Sequence, residues 1–308
     1  MRLLVTGSRG FIGSSIGRLA SQAGHDVLGI GLSSQPVEGW AGSYVQMNVA
    51  TSDLSVVLKE FEPEVMVHAA GSASVRSSLT TPLDDLKSSA LTWANMLDSV
   101  RRSGLRPVIM FPSSAAVYGN PAALPIREDA PTHAISPYGF HKAACELLAH
   151  EYAQCFGLSI VICRLFSVFG PAQRRLLIWE LYEQFTREAE TVWLHGSGDE
   201  SRDYLHIEDV ASAFFELAEN TLKHSVPSSC KIVNVASGSR IKVLDLAKRI
   251  RELVASEKEI QCRGIVSRVD PKEWQADIGT LRSLAPGWQP QPLAKRLADC
   301  IAVWRQAH

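Results

Sequence analysis

A doubly wound parallel α/β sheet with a smaller, discontinuous C-terminal lobe is the architecture this 308-residue chain predicts, and three observations predict it. Short apolar runs alternate with helical stretches over the first 160 or so residues. A glycine-rich turn, Thr6-Gly7-Ser8-Arg9-Gly10-Phe11-Ile12-Gly13, follows directly on the first apolar run, Leu3-Leu4-Val5. With 46% hydrophobic and 20% charged residues, the chain carries enough apolar surface for one large or two small cores, and nothing in it reads as disordered.

Leu3 to Thr6 reads as the first strand, about Gly13 to Ala23 as a helix and Val27 to Ile30 as the second strand. Tyr44 to Met47, Val65 to Ala69, Val108 to Phe111 and Ser159 to Phe166 continue the strands, and their unbroken apolar runs suit a sheet buried on both faces. Before the last of them, Ser136 is an N-cap, Pro137 a first helical residue and Gly157 a helix stop, bracketing a helix with the apolar positions Phe140, Ala144, Leu147, Leu148 and Phe156. After Gly170-Pro171 the pattern loosens. Lys231 to Val235 reads as a strand that rejoins the sheet, and helices at about Val243 to Ala255 and Leu293 to Gln306 fall to the lobe. The expected division is 1–166 with about 205–236 for the sheet domain, and 167–204 with 237–308 for the lobe.

The 31 basic and 32 acidic residues nearly cancel and do not cluster, which disfavours nucleic acid or a membrane surface and favours a small-molecule partner. Six cysteines form no CxxC pair and no metal-ligand spacing, so no metal is expected, buried free thiols are, and a reducing cytoplasm suits them. No apolar run approaches the roughly 20 residues of a membrane span, and the chain reads as cytoplasmic.

Between a strand and a helix, Gly7, Gly10 and Gly13 let the turn close, the backbone approach a pyrophosphate and the helix pack on the strand. The helix N-terminus then faces the phosphates, which is the dinucleotide turn of a Rossmann domain. Its usual partner, an acid at the end of the second strand, is replaced by Gly31. A 2′-phosphate is then no longer excluded, and Arg9, with the hydroxyls of Ser33 and Ser34, can receive it, so the cofactor is NAD or NADP with a lean to NADP. Roughly 125 residues downstream, Tyr138 and Lys142 stand four apart on a helix and share a face. An ammonium so placed favours the ionised form of a phenol, and such a phenol exchanges protons with an alcohol or sugar hydroxyl.

These residues, together with Val67-His68-Ala69-Ala70-Gly71, Ser113-Ser114-Ala115-Ala116-Val117-Tyr118-Gly119, Arg164 to Pro171, Ser201 to Val210, Asn234 to Gly238 and Gly287-Trp288-Gln289-Pro290, resemble the extended short-chain dehydrogenase/reductase family, in its sugar-nucleotide epimerase/dehydratase branch. The resemblance covers essentially the whole chain. It implies that Tyr138 is the acid/base, that Lys142 holds the nicotinamide ribose and eases the tyrosine's proton loss, and that Ser114 bonds the reacting hydroxyl. It places Phe11 and Ile12 of the glycine turn, Ser33, the Asn48-Val49 pair, Ala69, Ala70 and Gly71 along the cofactor. Ser74, Ser167 and Arg202 then fall on the substrate, Arg202 at a nucleotide phosphate. It further implies a homodimer joined through helices at about Pro82 to Arg102 and Tyr138 to Phe156, and a part in polysaccharide assembly.

In the related dehydratases an Asp-Glu pair follows the serine or threonine; here Ala115-Ala116 stands there, and a methyl group transfers no proton. Chemistry at one carbinol carbon remains, giving a nucleotide-sugar epimerase as the first reading and an NADPH-dependent keto-sugar reductase as the second. A non-catalytic dinucleotide-binding regulator is a third, disfavoured by the intact Ser114, Tyr138 and Lys142. The absence of an asparagine at Ser167 and of paired asparagines at Ser88 and Ser89, and the short basic segment at Arg174 and Arg175, point to a remodelled sugar-nucleotide pocket.

Overall fold

Chain order and sheet order diverge at one place, and that place makes the cleft. In the computed structural model, which describes residues 1–224, 229–265 and 269–306, the elements of the first half are β1 (Arg2–Thr6), α1 (Phe11–Gln22), β2 (Asp26–Gly31), β3 (Ser43–Gln46), α2 (Ser55–Phe61), β4 (Val65–His68), α3 (Val75–Thr80), α4 (Pro82–Leu86), α5 (Thr92–Ser103), β5 (Val108–Ser114), α6 (Pro137–Phe156) and β6 (Ser159–Leu165). The second half runs β7 (Ser167–Phe169), α7 (Leu176–Thr186), β8 (Thr191–Leu194), β9 (Ser201–His206), α8 (Ile207–Lys223), β10 (Cys230–Val235), β11 (Arg240–Lys242), α9 (Val243–Val254), β12 (Glu259–Cys262), α10 (Gly279–Leu284) and α11 (Leu293–Gln306).

Seven parallel strands lie in the order β10-β6-β5-β4-β1-β2-β3. From β1 the chain winds one way to β3 and then returns to β4 on the other side. A crevice therefore opens at the carboxyl ends of β1 and β4, where such sheets bind ligands. Two apolar layers cover the sheet: one with Ile16, Val117, Phe214 and Leu217, the other with Leu54, Trp93, Met96 and Ala149. A third core, built on Phe169, Trp179, Tyr182, Leu246 and Trp304, belongs to the lobe of α7, α9 and α11.

Several expectations shift. The helix expected over Pro82 to Arg102 is interrupted by a π-turn at Lys87–Leu91 between α4 and α5. The strand expected to stop at Phe111 runs on to Ser114. Because β4 pairs only with Val108 to Met110, β5 has β6 as its remaining neighbour beyond that point, and Pro112, which has no N–H to offer, is tolerated there. On α6 the inward residues are Gly139, Lys142, Cys145, Glu146, Ala149 and Ala153, whereas Phe140 and Leu147 face outward at 62% and 72% exposure. Ala276, Ile278, Leu281, Ala285 and Trp288 pack into the sheet domain's core, not the lobe's. Of the cysteines expected to be buried, Cys145, Cys163 and Cys300 are; Cys155 and Cys262 are exposed. No helix among the described residues is long and apolar enough to cross a membrane.

Candidate active site

The glycine turn leaves no room for a side chain at Gly7 or Gly13. A Cβ on Gly7, which has φ +66°, would lie 2.5 Å from the amide of Ala70, and one on Gly13 would lie 2.4 Å from the carbonyl oxygen of Gly7. The turn after β1 thus abuts the Ala69-Ala70 segment after β4, at the switch point. Gly10 caps α1 without a side-chain acceptor, and the first turn holds no acid. The N–H groups of Phe11, Ile12 and Gly13 open onto the crevice with the helix dipole behind them, which suits a pyrophosphate. Gly71, with φ +139°, closes the far wall against the π-turn, where the buried Ser89 hydroxyl has no partner among the described residues.

At the adenosine end, Arg9 leaves the glycine turn and donates to the carbonyls of Gln35 and Pro36 at 2.5 and 2.7 Å. Ser33 lies in that same exposed loop. Asn48 is exposed and accepts from the amide of Ala50; Val49 is buried, its carbonyl held by Asn95 at 2.8 Å. A dinucleotide fits the residues present: a glycine turn with room for phosphates, uncapped N–H groups at the start of α1 and a cation, Arg9, beside the turn.

Ser114 ends β5, and α6 brings Tyr138 and Lys142 to the same end of that strand. Ser114 closes the strand and its Oγ accepts from the amide of Ala116, capping a single 3₁₀ turn, Ala115–Val117. α6 begins against that turn: a Cβ on Gly139 would meet the carbonyl oxygen of Ala116 at 2.6 Å, so glycine allows the contact. Ser136 caps the helix by accepting from the Gly139 amide, and Ser78 of α3 accepts from the Tyr138 amide at 3.1 Å. Lys142, 8% exposed, donates to the Pro112 carbonyl at 2.9 Å, with its ammonium 4.8 Å from the Phe111 ring centre and 5.9 Å from that of Tyr138. Below it, burial and then the Lys142 charge push the His68 imidazole down to about 3; its Nδ1 bonds the Thr6 hydroxyl at 2.9 Å. His68 is therefore a neutral floor to the site.

Sequence reasoning missed the scaffold behind this triad. Glu146, one turn beyond Lys142 on the same face, accepts from Ser113 Oγ at 2.6 Å and from Arg164 at 3.1 and 2.7 Å. Burial works against the Arg164 charge, and the Glu146 carboxylate more than offsets it. The Arg164 guanidinium lies 4.6 Å from the ring centre of Tyr118, whose hydroxyl donates to Asn234 at 2.7 Å. The i, i+4 spacing of Lys142 and Glu146 was the available signal. His141 and Asp85, also unread, join α6 to α4 at 2.5 Å.

The expected substrate residues lie on three separate elements. Ser74 caps α3 by accepting from Ser77. Ser167 opens β7, and Arg202 on β9 lies over the Trp274 ring at 5.6 Å and donates to the carbonyls of Ser201 and Lys272. Trp274 itself, which bonds the Gly119 carbonyl at 3.1 Å and meets Phe166 edge-on, was not anticipated. Asp203 accepts from Ser237, Gly238 and Ala276; burial pushes its carboxyl up to about 6 against those donors, and it ties β9 to the loops beside it.

A dinucleotide crevice flanked by a serine, a tyrosine and a lysine on one strand end and one helix defines an enzyme that works on a hydroxyl-bearing carbon with a nicotinamide. Residues 3–236 match the sequence profile of the NAD dependent epimerase/dehydratase family, and the chain belongs to that family. It is 29% identical to a UDP-glucose 4-epimerase of Mycolicibacterium smegmatis, over 99% of both chains. Among solved structures it superposes on a UDP-glucose 4-epimerase of Thermotoga maritima with UDP-glucose (TM-score 0.88, 26% identity, 100% of this chain and 99% of that one). It also superposes on MoeE5 in complex with UDP-glucose and NAD (TM-score 0.86, 26% identity, the same coverage).

Proposed function

We propose that the protein is a nucleotide-sugar 4-epimerase acting on a UDP-hexose class of substrate, with Ser114, Tyr138 and Lys142 as the groups that meet substrate and cofactor. The observation that carries this reading is the Ala115-Ala116 turn. Both residues are buried, at 0% and 7% exposure, and the backbone of α6 is seated on them, so no acid/base pair stands beside Ser114 to expel water. What the site retains is proton exchange at one carbinol oxygen: Ser114 orients that hydroxyl, Tyr138 takes and returns its proton, and Lys142, held by the Pro112 carbonyl, places its side-chain nitrogen 5.9 Å from the tyrosine ring centre. The bound nicotinamide supplies the hydride acceptor and donor for that carbon. The residues of the glycine turn, with Ala69, Ala70 and Gly71, hold the dinucleotide, and the lobe built on α7, α9 and α11 receives the sugar nucleotide, with Ser74, Ser167 and Arg202 on its path.

Gly31 and Arg9 support NADP over NAD as the cofactor, and with it the second reading, a keto-sugar reductase. Leu83, Leu91, Phe140 and Leu147, all exposed on the α4–α5 and α6 layer, support a homodimer joined across these helices. Incubation with a panel of UDP-, GDP-, CDP- and dTDP-hexoses decides between the activities. An epimerase yields the C4 isomer with no net change in nicotinamide absorbance; stoichiometric NADPH loss with a 4-keto sugar establishes the reductase. If neither occurs with any member of the panel, the regulator reading replaces both.

A further inference from the structure

We propose that Tyr44 is a specificity-determining residue for the dinucleotide, acting by occupying the space that a side chain at position 31 would need. This inference rests on the cofactor reading above and deepens it. Tyr44 stands on β3 opposite Gly29, two residues before the end of β2, and reaches forward along the sheet. A Cβ on Gly31 would lie 2.7 Å from the Tyr44 hydroxyl oxygen, while the nearest ring atoms are 3.4 and 3.5 Å away, an ordinary contact. The hydroxyl is therefore the atom that a side chain at residue 31 would have to displace.

That hydroxyl also has work of its own. It donates to the Ser33 carbonyl at 2.7 Å, Gln46 donates to the Leu32 carbonyl at 2.9 Å, and Arg9 donates to the carbonyls of Gln35 and Pro36. Four carbonyls of one short loop are thus drawn back onto the protein by three side chains. Among the described residues, the amides of Ser33, Ser34 and Gln35 and the two serine hydroxyls donate to nothing in the chain. From Gly31 to Val37 there is no carboxylate, and the Arg9 guanidinium lies on the loop. A ribose 2′-phosphate needs several donors and a cation, whereas a free 2′,3′-diol needs an acceptor such as a carboxylate. The loop as tied offers the first set, and a carboxylate at residue 31 that would serve the second enters only by breaking the Tyr44 tie to Ser33.

The test is binding of NADH and NADPH, read by nicotinamide fluorescence, to the wild type and to Tyr44→Phe, Gly31→Asp and the double variant, each checked for an unchanged melting temperature. Tyr44→Phe is expected to weaken NADPH about five- to tenfold, the worth of one neutral hydrogen bond, and to leave NADH within about twofold. Gly31→Asp weakens both, because the new side chain must push the tyrosine off Ser33. The double variant relieves the clash, binds NADH more tightly than Gly31→Asp does and inverts the wild-type preference. Unchanged affinities in Tyr44→Phe, or strictly additive effects of the two substitutions, overturn the proposal. A wild type that prefers NADH removes the NADP reading instead, and non-additivity between positions 31 and 44 then decides on Tyr44 by itself.

Discussion

A methyl group at Gly13 would sit 2.4 Å from a backbone oxygen that cannot swing aside, since Gly7 is itself wedged against Ala69 and Ala70. Gly13→Ala is therefore expected to weaken dinucleotide binding more than about tenfold in a fluorescence titration, by forcing the turn away from the phosphates. Tyr138 is a different kind of residue: its backbone is anchored by Ser78 and its helix by Ser136, so removing the hydroxyl leaves the fold alone. Tyr138→Phe should lower turnover by about 10²- to 10⁴-fold, the range for a positioned proton-transfer group, with cofactor affinity nearly unchanged. Loss of both together would mean that the phenol holds the dinucleotide and is not reserved for chemistry.

Among the elements, α6 joins the cofactor crevice to the protein's outer surface. Its inward face carries Lys142 and Glu146 one turn apart, the first reaching Pro112 and the second locking Ser113 and Arg164. Glu146→Ala would leave the buried Arg164 charge unpaired, and a loss of about 3–5 kcal/mol in denaturant unfolding is expected. The position of α6 was legible from Ser136, Pro137 and Gly157, because capping is local chemistry. Its inward face was not: a periodic apolar pattern puts Phe140 and Leu147 inside, whereas the observed inner face is two charged residues with small ones between them. Buried charges defeat hydrophobic periodicity because their partners, Arg164 and the Pro112 carbonyl, lie on other strands. The π-turn of Lys87–Leu91, which lies beside Gly71 and α6, was equally hidden, since no local pattern in Lys87-Ser88-Ser89-Ala90-Leu91 marks it.

At the scale of the whole molecule, the outward apolar residues Leu83, Leu91, Phe140 and Leu147 remain uncovered in the single chain. In the proposed homodimer, Leu147→Glu is expected to shift the sedimentation velocity profile to monomer, because burying an unpaired carboxylate costs more than the lost apolar contact. A monomeric wild type would refute the four-helix interface. The sequence by itself determined the parallel α/β sheet, because alternating apolar runs and a glycine turn are short-range signals; the i, i+4 spacing put Tyr138 and Lys142 on one helix face, while Ser114 joined them only through the family resemblance. Only the tertiary structure decided what surrounds them, from the Glu146–Arg164–Tyr118 scaffold to the Tyr44 hydroxyl over Gly31 and the bond from Trp274 to the Gly119 carbonyl. Those contacts join residues far apart in the chain, and no local pattern records which distant side chain will meet a given backbone.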